Sequence, residues 1–304
     1  MKSTNFILST AFIMLFSCLS FGQVKNTYSF NSENLLNHVK ELASDAYEGR
    51  RTGTPGAEKA KNYIIKQLKM LQVAPLVDNF EQPFTFSSRN ESYNGVNILA
   101  SIKGTEYPEE YMVISAHYDH EGIKNDQIYN GADDDASGVS ALFAFAEFFQ
   151  KNPPKHSVIL AFFDAEELGL QGSKFFINNT IVPLKSIILN VNMDMVSRNE
   201  NKELYVTGIK SNPQLETIYK NLEKSEDITI IAGHDGTDGK QSWMFSSDHA
   251  PFHMKNIPFL YFGVEDHEDY HQPTDDYENI HPEFYKNAVN SIISMFHQID
   301  ALTF

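Results

Sequence analysis

The chain has 304 residues, 41% of them hydrophobic, which suffices for one large core or two small ones, and a single domain is expected. With 24 Lys and Arg against 40 Asp and Glu the formal charge is -16, a balance that disfavours nucleic acid and anionic membranes and that bound metal could partly neutralise. The one cysteine, Cys18, lies in the leader described next, so the mature chain has neither disulfides nor thiol chemistry.

Met1-Lys2, the apolar stretch that runs through Ala11-Phe-Ile-Met-Leu-Phe, and Ser20-Phe-Gly22 read as a secretory signal peptide over residues 1–22. Cleavage after Gly22 leaves 23–304 as the mature domain, exported to a periplasm or secreted. The rival reading is a lipoprotein box at Leu15-Phe-Ser-Cys18 with Cys18 lipidated; Phe16 is bulky for such a box. No later apolar run approaches the ~18 residues of a membrane span.

Ser32 to Leu42 has a capping residue and apolar positions at helical spacing, and after the turn-rich link Tyr47 to Gly56 a second helix is expected from about Ala57 to Leu71. Leu76 to Asn90 looks extended, Gly95 to Lys103 is a strand, and the strand Tyr111 to Ala116 delivers His117. The loop Gly131-Ala-Asp-Asp-Asp-Ala-Ser-Gly138 leads into an apolar helix from about Val139 to Phe149. A strand at 156–163 runs into Asp164-Ala-Glu166-Glu167, a helix near Ser173 to Asn178 follows, and the strand Ile187 to Asn192 ends in Met193-Asp194. Alternation of this kind predicts an α/β fold: a mostly parallel, mixed central sheet with helices on both faces. Beyond residue 200 the pattern is weaker. It gives a strand at Leu204 to Thr207, a polar helix from about Pro213 to Lys224, a last strand within Asn256 to Gly263 and a closing helix from His281 to Leu302. The loop Gly233-His-Asp-Gly-Thr-Asp-Gly239 lacks the spaced acids and terminal Glu of a calcium loop and reads as a rim of the active site.

The run His156 to Phe163 is apolar throughout, as a strand buried on both faces would be, and it ends in three carboxylates. Adjacent Glu166 and Glu167 would repel unless one binds metal and the other handles a proton. Four apolar strands end at a possible ligand, at His117, Glu167, Asp194 and, a few residues late, His271. Sites in open parallel sheets lie beyond the carboxyl ends of the strands, so these four can meet, with Asp134 joining from the loop. Two His and three carboxylates form an N/O set suited to zinc, and able to take cobalt or manganese. Two divalent ions against three carboxylates and a bridging hydroxide balance in charge, so two zinc ions per chain are expected, with Glu166 free to accept a proton. Asp119 is read as a carboxylate orienting His117. Tyr270 would either donate to a developing oxyanion or form wall.

Together, His117-Tyr-Asp119, Gly131 to Gly138, Asp164 to Glu167, Asn192-Met-Asp194, Ser247-Asp-His249 and Tyr270-His271 resemble the ordered motifs of the co-catalytic zinc aminopeptidases, metallopeptidase family twenty-eight. The resemblance spans about Tyr47 to His271 and implies a single zinc-exopeptidase-like domain. It further implies that His117 and Asp194 share one metal, that Glu167 and His271 share the other, that Asp134 bridges them and that Glu166 is the general base. Among three consecutive aspartates, Asp133 and Asp135 remain open from the residues alone. The expected activity is release of N-terminal residues from peptides with a free N-terminus. A single-zinc acyltransferase like the glutaminyl cyclases, or a carboxypeptidase or amidohydrolase on the same scaffold, are the alternatives. Two patterns point elsewhere. His267-Glu-Asp-Tyr-His271 matches the helical zinc-protease motif, but Gly263 and Pro273 around it disfavour a helix. Ser247-Asp248-His249 suggests a serine triad, but no Gly-x-Ser-x-Gly elbow accompanies it.

Overall fold

The computed structural model describes residues 28–88, 90–222 and 225–303; the expected signal segment, its cut after Gly22 and Cys18 lie outside them. Helices α1 (Ser32–Leu42) and α2 (Pro55–Met70) open the chain, followed by β1 (Ala74–Pro75), β2 (Glu81–Ser88), β3 (Glu91–Ile102) and β4 (Tyr107–His117). A small hairpin, β5 (Gly122–Lys124) and β6 (Gln127–Tyr129), precedes α3 (Gly138–Lys151), β7 (His156–Phe163), α4 (Gln171–Asn178) and β8 (Ile187–Met193). Then come β9 (Glu203–Thr207), α5 (Pro213–Lys220), β10 (Thr229–Ala232), α6 (Ala250–Met254), β11 (Phe259–Gly263) and α7 (Pro282–Asp300).

The main sheet runs β1-β3-β7-β4-β8-β11-β9-β10, with β2 also paired to β3. Its centre, β7-β4-β8-β11, is parallel, while β3 and β9 join the two sides of that centre antiparallel, so the sheet is mixed as expected. Side chains alternate across β7: Val158, Leu160 and Phe162 enter the core cluster that also holds residues of α1, α2, α3 and α7, and Ile159, Ala161 and Phe163 enter the cluster with Phe176 of α4 and Phe252 of α6. This explains why β7 has no polar face, since helices cover both sides. Each buried Leu, Ile or Phe contributes about 1.5–3 kcal/mol, and Phe162→Ala would cost about 3–5 kcal/mol.

Local chemistry sets the ends. The Asn31 side chain, one residue before the expected cap, accepts from the Glu33 and Asn34 amides and starts α1; Thr54 caps α2, whose first residue is Pro55. Asp300, at the end of α7, accepts from the Lys155 and His156 amides and from the His156 ring, tying the closing helix to the start of β7. Five differences from the sequence reading have simple causes. The stretch 76–90 is broken by a turn at Asp78–Phe80, α5 stops at Lys220, and β10 and the β5–β6 hairpin are too short and too exposed to carry a period. Helix α6, five residues long, is also too short for a periodic signal.

Candidate metal centre

All four parallel strands end at one edge, where His117 pairs in register with Phe163. Beyond Phe163 the chain reverses through Ala165 at φ 60, and Asp164 holds the reversal by accepting from Thr52 Oγ1, the Val96 amide, Tyr118 OH and the Ala165 amide. The first of the three carboxylates is therefore structural. The next two enter a cavity that also presents His117, Asp134, Asp194, Tyr270 and His271. A larger cavity at α5 and β10, lined by Tyr219, Leu222, Ile230 and Ser291, holds none of these groups.

Within the cavity the five expected ligands form two sets that share Asp134. His117 Nε2 lies 3.2 Å from Asp134 Oδ1 and 3.5 Å from Asp194 Oδ1. His271 Nε2 lies 3.2 Å from Asp134 Oδ2 and 3.4 Å from Glu167 Oε2. Tetrahedral zinc with bonds of ~2.0–2.1 Å has ligand-to-ligand edges of about 3.3 Å, and the histidine-to-carboxylate edges of both sets match it. The donors are imidazole nitrogen and carboxylate oxygen, the donor set that zinc takes. The residues fit the metal.

The three consecutive aspartates separate by geometry. Asp133 accepts from the Ser197 amide and hydroxyl and faces His267 Nε2 at 3.0 Å. Asp135 also lies near His117 and Asp194, but its oxygens accept from the amides of His117, Gly138 and Met195. Asp134 alone of the three faces both histidines of the cavity. The two His of the zincin-like pattern accordingly diverge, His267 toward Asp133 and His271 toward Asp134, and the segment between them is turn, not helix. Asp119 stands beside His117, with its main-chain carbonyl nearer to Nδ1 (3.1 Å) than its carboxylate (3.7 Å). The carboxylate instead accepts from the amides of Glu166 and Glu167, and so fixes both residues of the turn at once. The Tyr270 ring stacks on His271 at 4.0 Å. Ser247 accepts from Asn192, and His249 Nε2 faces the Trp243 carbonyl, so Ser247, Asp248 and His249 form no triad.

Charge explains the state of these groups without metal. Burial raises the Glu166 carboxyl well above its ordinary range, and Asp194, Glu167 and Asp248 push the same way. Burial would also raise Glu167, and Asp134 adds to that, but the His120 and His271 imidazoles overcome both and hold it at about 2. Burial would lower His271, yet Asp134 and Glu167 lift it to about 10. Without metal, the two adjacent carboxyls are thus pushed in opposite directions, Glu166 up and Glu167 down.

Two residues were missed from the sequence. Arg50 is fully buried and donates to the carbonyls of Leu42, Tyr118, Asn130 and Gly131, bracing both loops that carry site residues from one side chain. Its positive charge sits near Asp275, Asp134, Asp135 and Asp119. His120 is buried against Glu167. An Arg in a turn-rich link signals nothing in a sequence, but His120 is the fourth residue of His-Tyr-Asp-His, and that doubling was a usable signal. The Gly/Asp-rich loop sits beside the cavity: His234 stacks on Trp243 at 3.4 Å, and Trp243 lines its wall.

The fold resembles that of solved enzymes. A Zn-dependent exopeptidase from Parabacteroides distasonis superposes with a TM-score of 0.72 at 21% identity, covering 88% of this chain and 98% of that one. A glutaminyl cyclase from Porphyromonas gingivalis gives 0.71 at 18%, covering 90% and 99%. Among curated sequences, aminopeptidase YwaD of Bacillus subtilis is 29% identical over 208 residues, 66% of this chain and 43% of that protein. A probable zinc metalloprotease of Pyrenophora teres f. teres is 26% identical over 194 residues, 62% and 41%. The chain spans less than half the length of either curated relative. The model of peptidase family M28 matches residues 97–296, a stretch that runs from β3 into α7 and includes every candidate ligand, and on that match the chain belongs to peptidase family M28.

Proposed function

We propose that this protein is an exported two-zinc aminopeptidase that removes N-terminal residues from peptides. The observation that carries the reading is the division of Asp134, one oxygen toward His117 and the other toward His271. His117 and Asp194 would hold one zinc, Glu167 and His271 the other, with Asp134 between them. When bound, the ions lower the pKa of water and polarise the scissile carbonyl. Glu166, free of the ligand set, takes the proton from the attacking water and returns it to the leaving amine. Asp119 keeps Glu166 and Glu167 in register for these separate tasks through their amides. Tyr270, which lines the cavity, would donate to the oxyanion. A cavity lined by Glu166, Asp194 and Asp266 suits the α-ammonium of a free N-terminus.

Export rests on the leader at 1–22, and the exported chain is expected to begin at Gln23. No helix of the described residues is long and apolar enough to cross a membrane. The likeness to a glutaminyl cyclase fold supports a second reading, single-zinc cyclisation of an N-terminal Gln. Elemental analysis of the purified protein, paired with free and N-acetylated aminoacyl substrates, separates the two. Two zinc ions per chain and cleavage confined to free N-termini are expected. One zinc per chain with release of pyroglutamyl peptide would replace the aminopeptidase by the cyclase.

A further inference from the structure

His120 has no part in the ligand set above, yet it is fully buried beside it, and neither ring nitrogen has a formed hydrogen bond among the described residues. Leaving both unpaired in the interior is costly, so the position needs a partner. The ring is held in place from two sides. Arg50 anchors the carbonyls of Tyr118 and Gly131, and Gly131, at φ 58, packs so closely that a Cβ there would sit 2.6 Å from the ring.

Distances identify the partner. His120 Nδ1 lies 2.8 Å from Glu167 Oε1 but 3.8 Å from Asp134 Oδ2. The three groups lie close enough to hold one ion, but Nδ1 stands unequally from the two carboxylates, whereas His271 stands at 3.4 and 3.2 Å. The short separation is that of an N–H donating to an ionised carboxylate, ~2.7–2.9 Å, although the two groups lack the alignment of a formed bond. Glu167 thus has one oxygen toward His271 and the other toward His120. We propose that His120 is a positioning residue that donates from Nδ1 to Glu167 Oε1 and so leaves Oε2 as the single oxygen for zinc.

The inference rests on the zinc reading, and zinc binding to the purified full-length protein tests it without any assay of turnover. His120→Leu removes the donor at similar volume, His120→Asn keeps an N–H near the Nδ1 position, and His120→Gln moves it toward Nε2. Loss of such an outer partner typically weakens metal binding 10–100-fold. The expected result is that Leu and Gln weaken one zinc by that factor, leave the other and the circular dichroism of the metal-free protein unchanged, and that Asn restores affinity to within a few-fold. Should the Leu variant fail to fold, the contrast of Asn with Gln decides. Wild-type affinity in the Leu variant, or equal losses in Asn and Gln, overturns the proposal while leaving the zinc site intact. Zinc-edge absorption that counts three imidazoles per two zincs also overturns it, by making His120 a ligand. A wild-type protein that binds no zinc removes the site reading itself.

Discussion

The two halves of the candidate centre are built differently. His117 and Asp194 stand at the ends of adjacent strands β4 and β8, and the His117 side chain is 2% exposed. Glu167 and His271 come from turns, His271 has φ 53, and its side chain is 35% exposed. The sheet orders the first half as it orders itself, whereas the second is held by side chains that hold one another. Preorganisation therefore favours the inner half, and the outer half should exchange or lose its metal first on chelation.

The sharpest way to break that contrast is to remove what the halves share. Asp134→Ala should cost both zincs and take activity to background, as read by elemental analysis and peptide cleavage. Retention of the inner zinc would mean that His117 and Asp194 suffice without the bridge. The adjacent glutamates sharpen it further. Glu166→Gln should keep both metals and lose at least ~100-fold in turnover with little change in substrate binding, because proton transfer is made only in the transition state. Glu167→Gln should instead lower zinc content, at the outer half alone. If the two variants exchanged these effects, the roles at this turn would be misassigned.

The smallest effect concerns the wall of the cavity around Trp243 and Tyr261. His249 is fully buried against Phe259 and Tyr261, and burial lowers its pKa from 6.5 to about 3, with the Trp243 carbonyl opposing. The folded state keeps it neutral while the unfolded state gains a proton below about 6.5. Its contribution therefore turns against the fold as pH falls from about 6.5 toward about 3. Trp243 is the only tryptophan, so its fluorescence reports this wall, and an acid-induced change over that window should flatten in His249→Leu.

The same contrast explains what could be read in the sequence. His117, Glu167 and Asp194 were legible because an apolar run that ends in a charged residue is costly without a partner, and parallel strands bring such ends together. Asp134 was legible only within three candidates, since choosing among them depends on which amides their carboxylates accept. His271 was reachable because Gly263 and Pro273 spoke against reading its pattern with His267 as a helix, and the chain forms a turn there. Arg50 and His120 act through carbonyls and a carboxylate far along the chain, and the β5–β6 hairpin and β10 are too short to show a period. What the sheet positions is visible as local pattern; what loops position is set by contacts that only the folded chain makes.

The parallel centre of the sheet has a kinetic consequence. His117 and Asp134 share the β4–β7 connection, but Glu167, Asp194 and His271 each arrive later along the chain, so an unfolded chain holds most of the pairs described above apart. Long-range pairing of this kind is slow to form, and its closing entropy must be met before any donor set exists. Zinc then enters after the rate-limiting step: its concentration should leave the refolding rate unchanged while slowing unfolding, and it stabilises the finished protein by mass action.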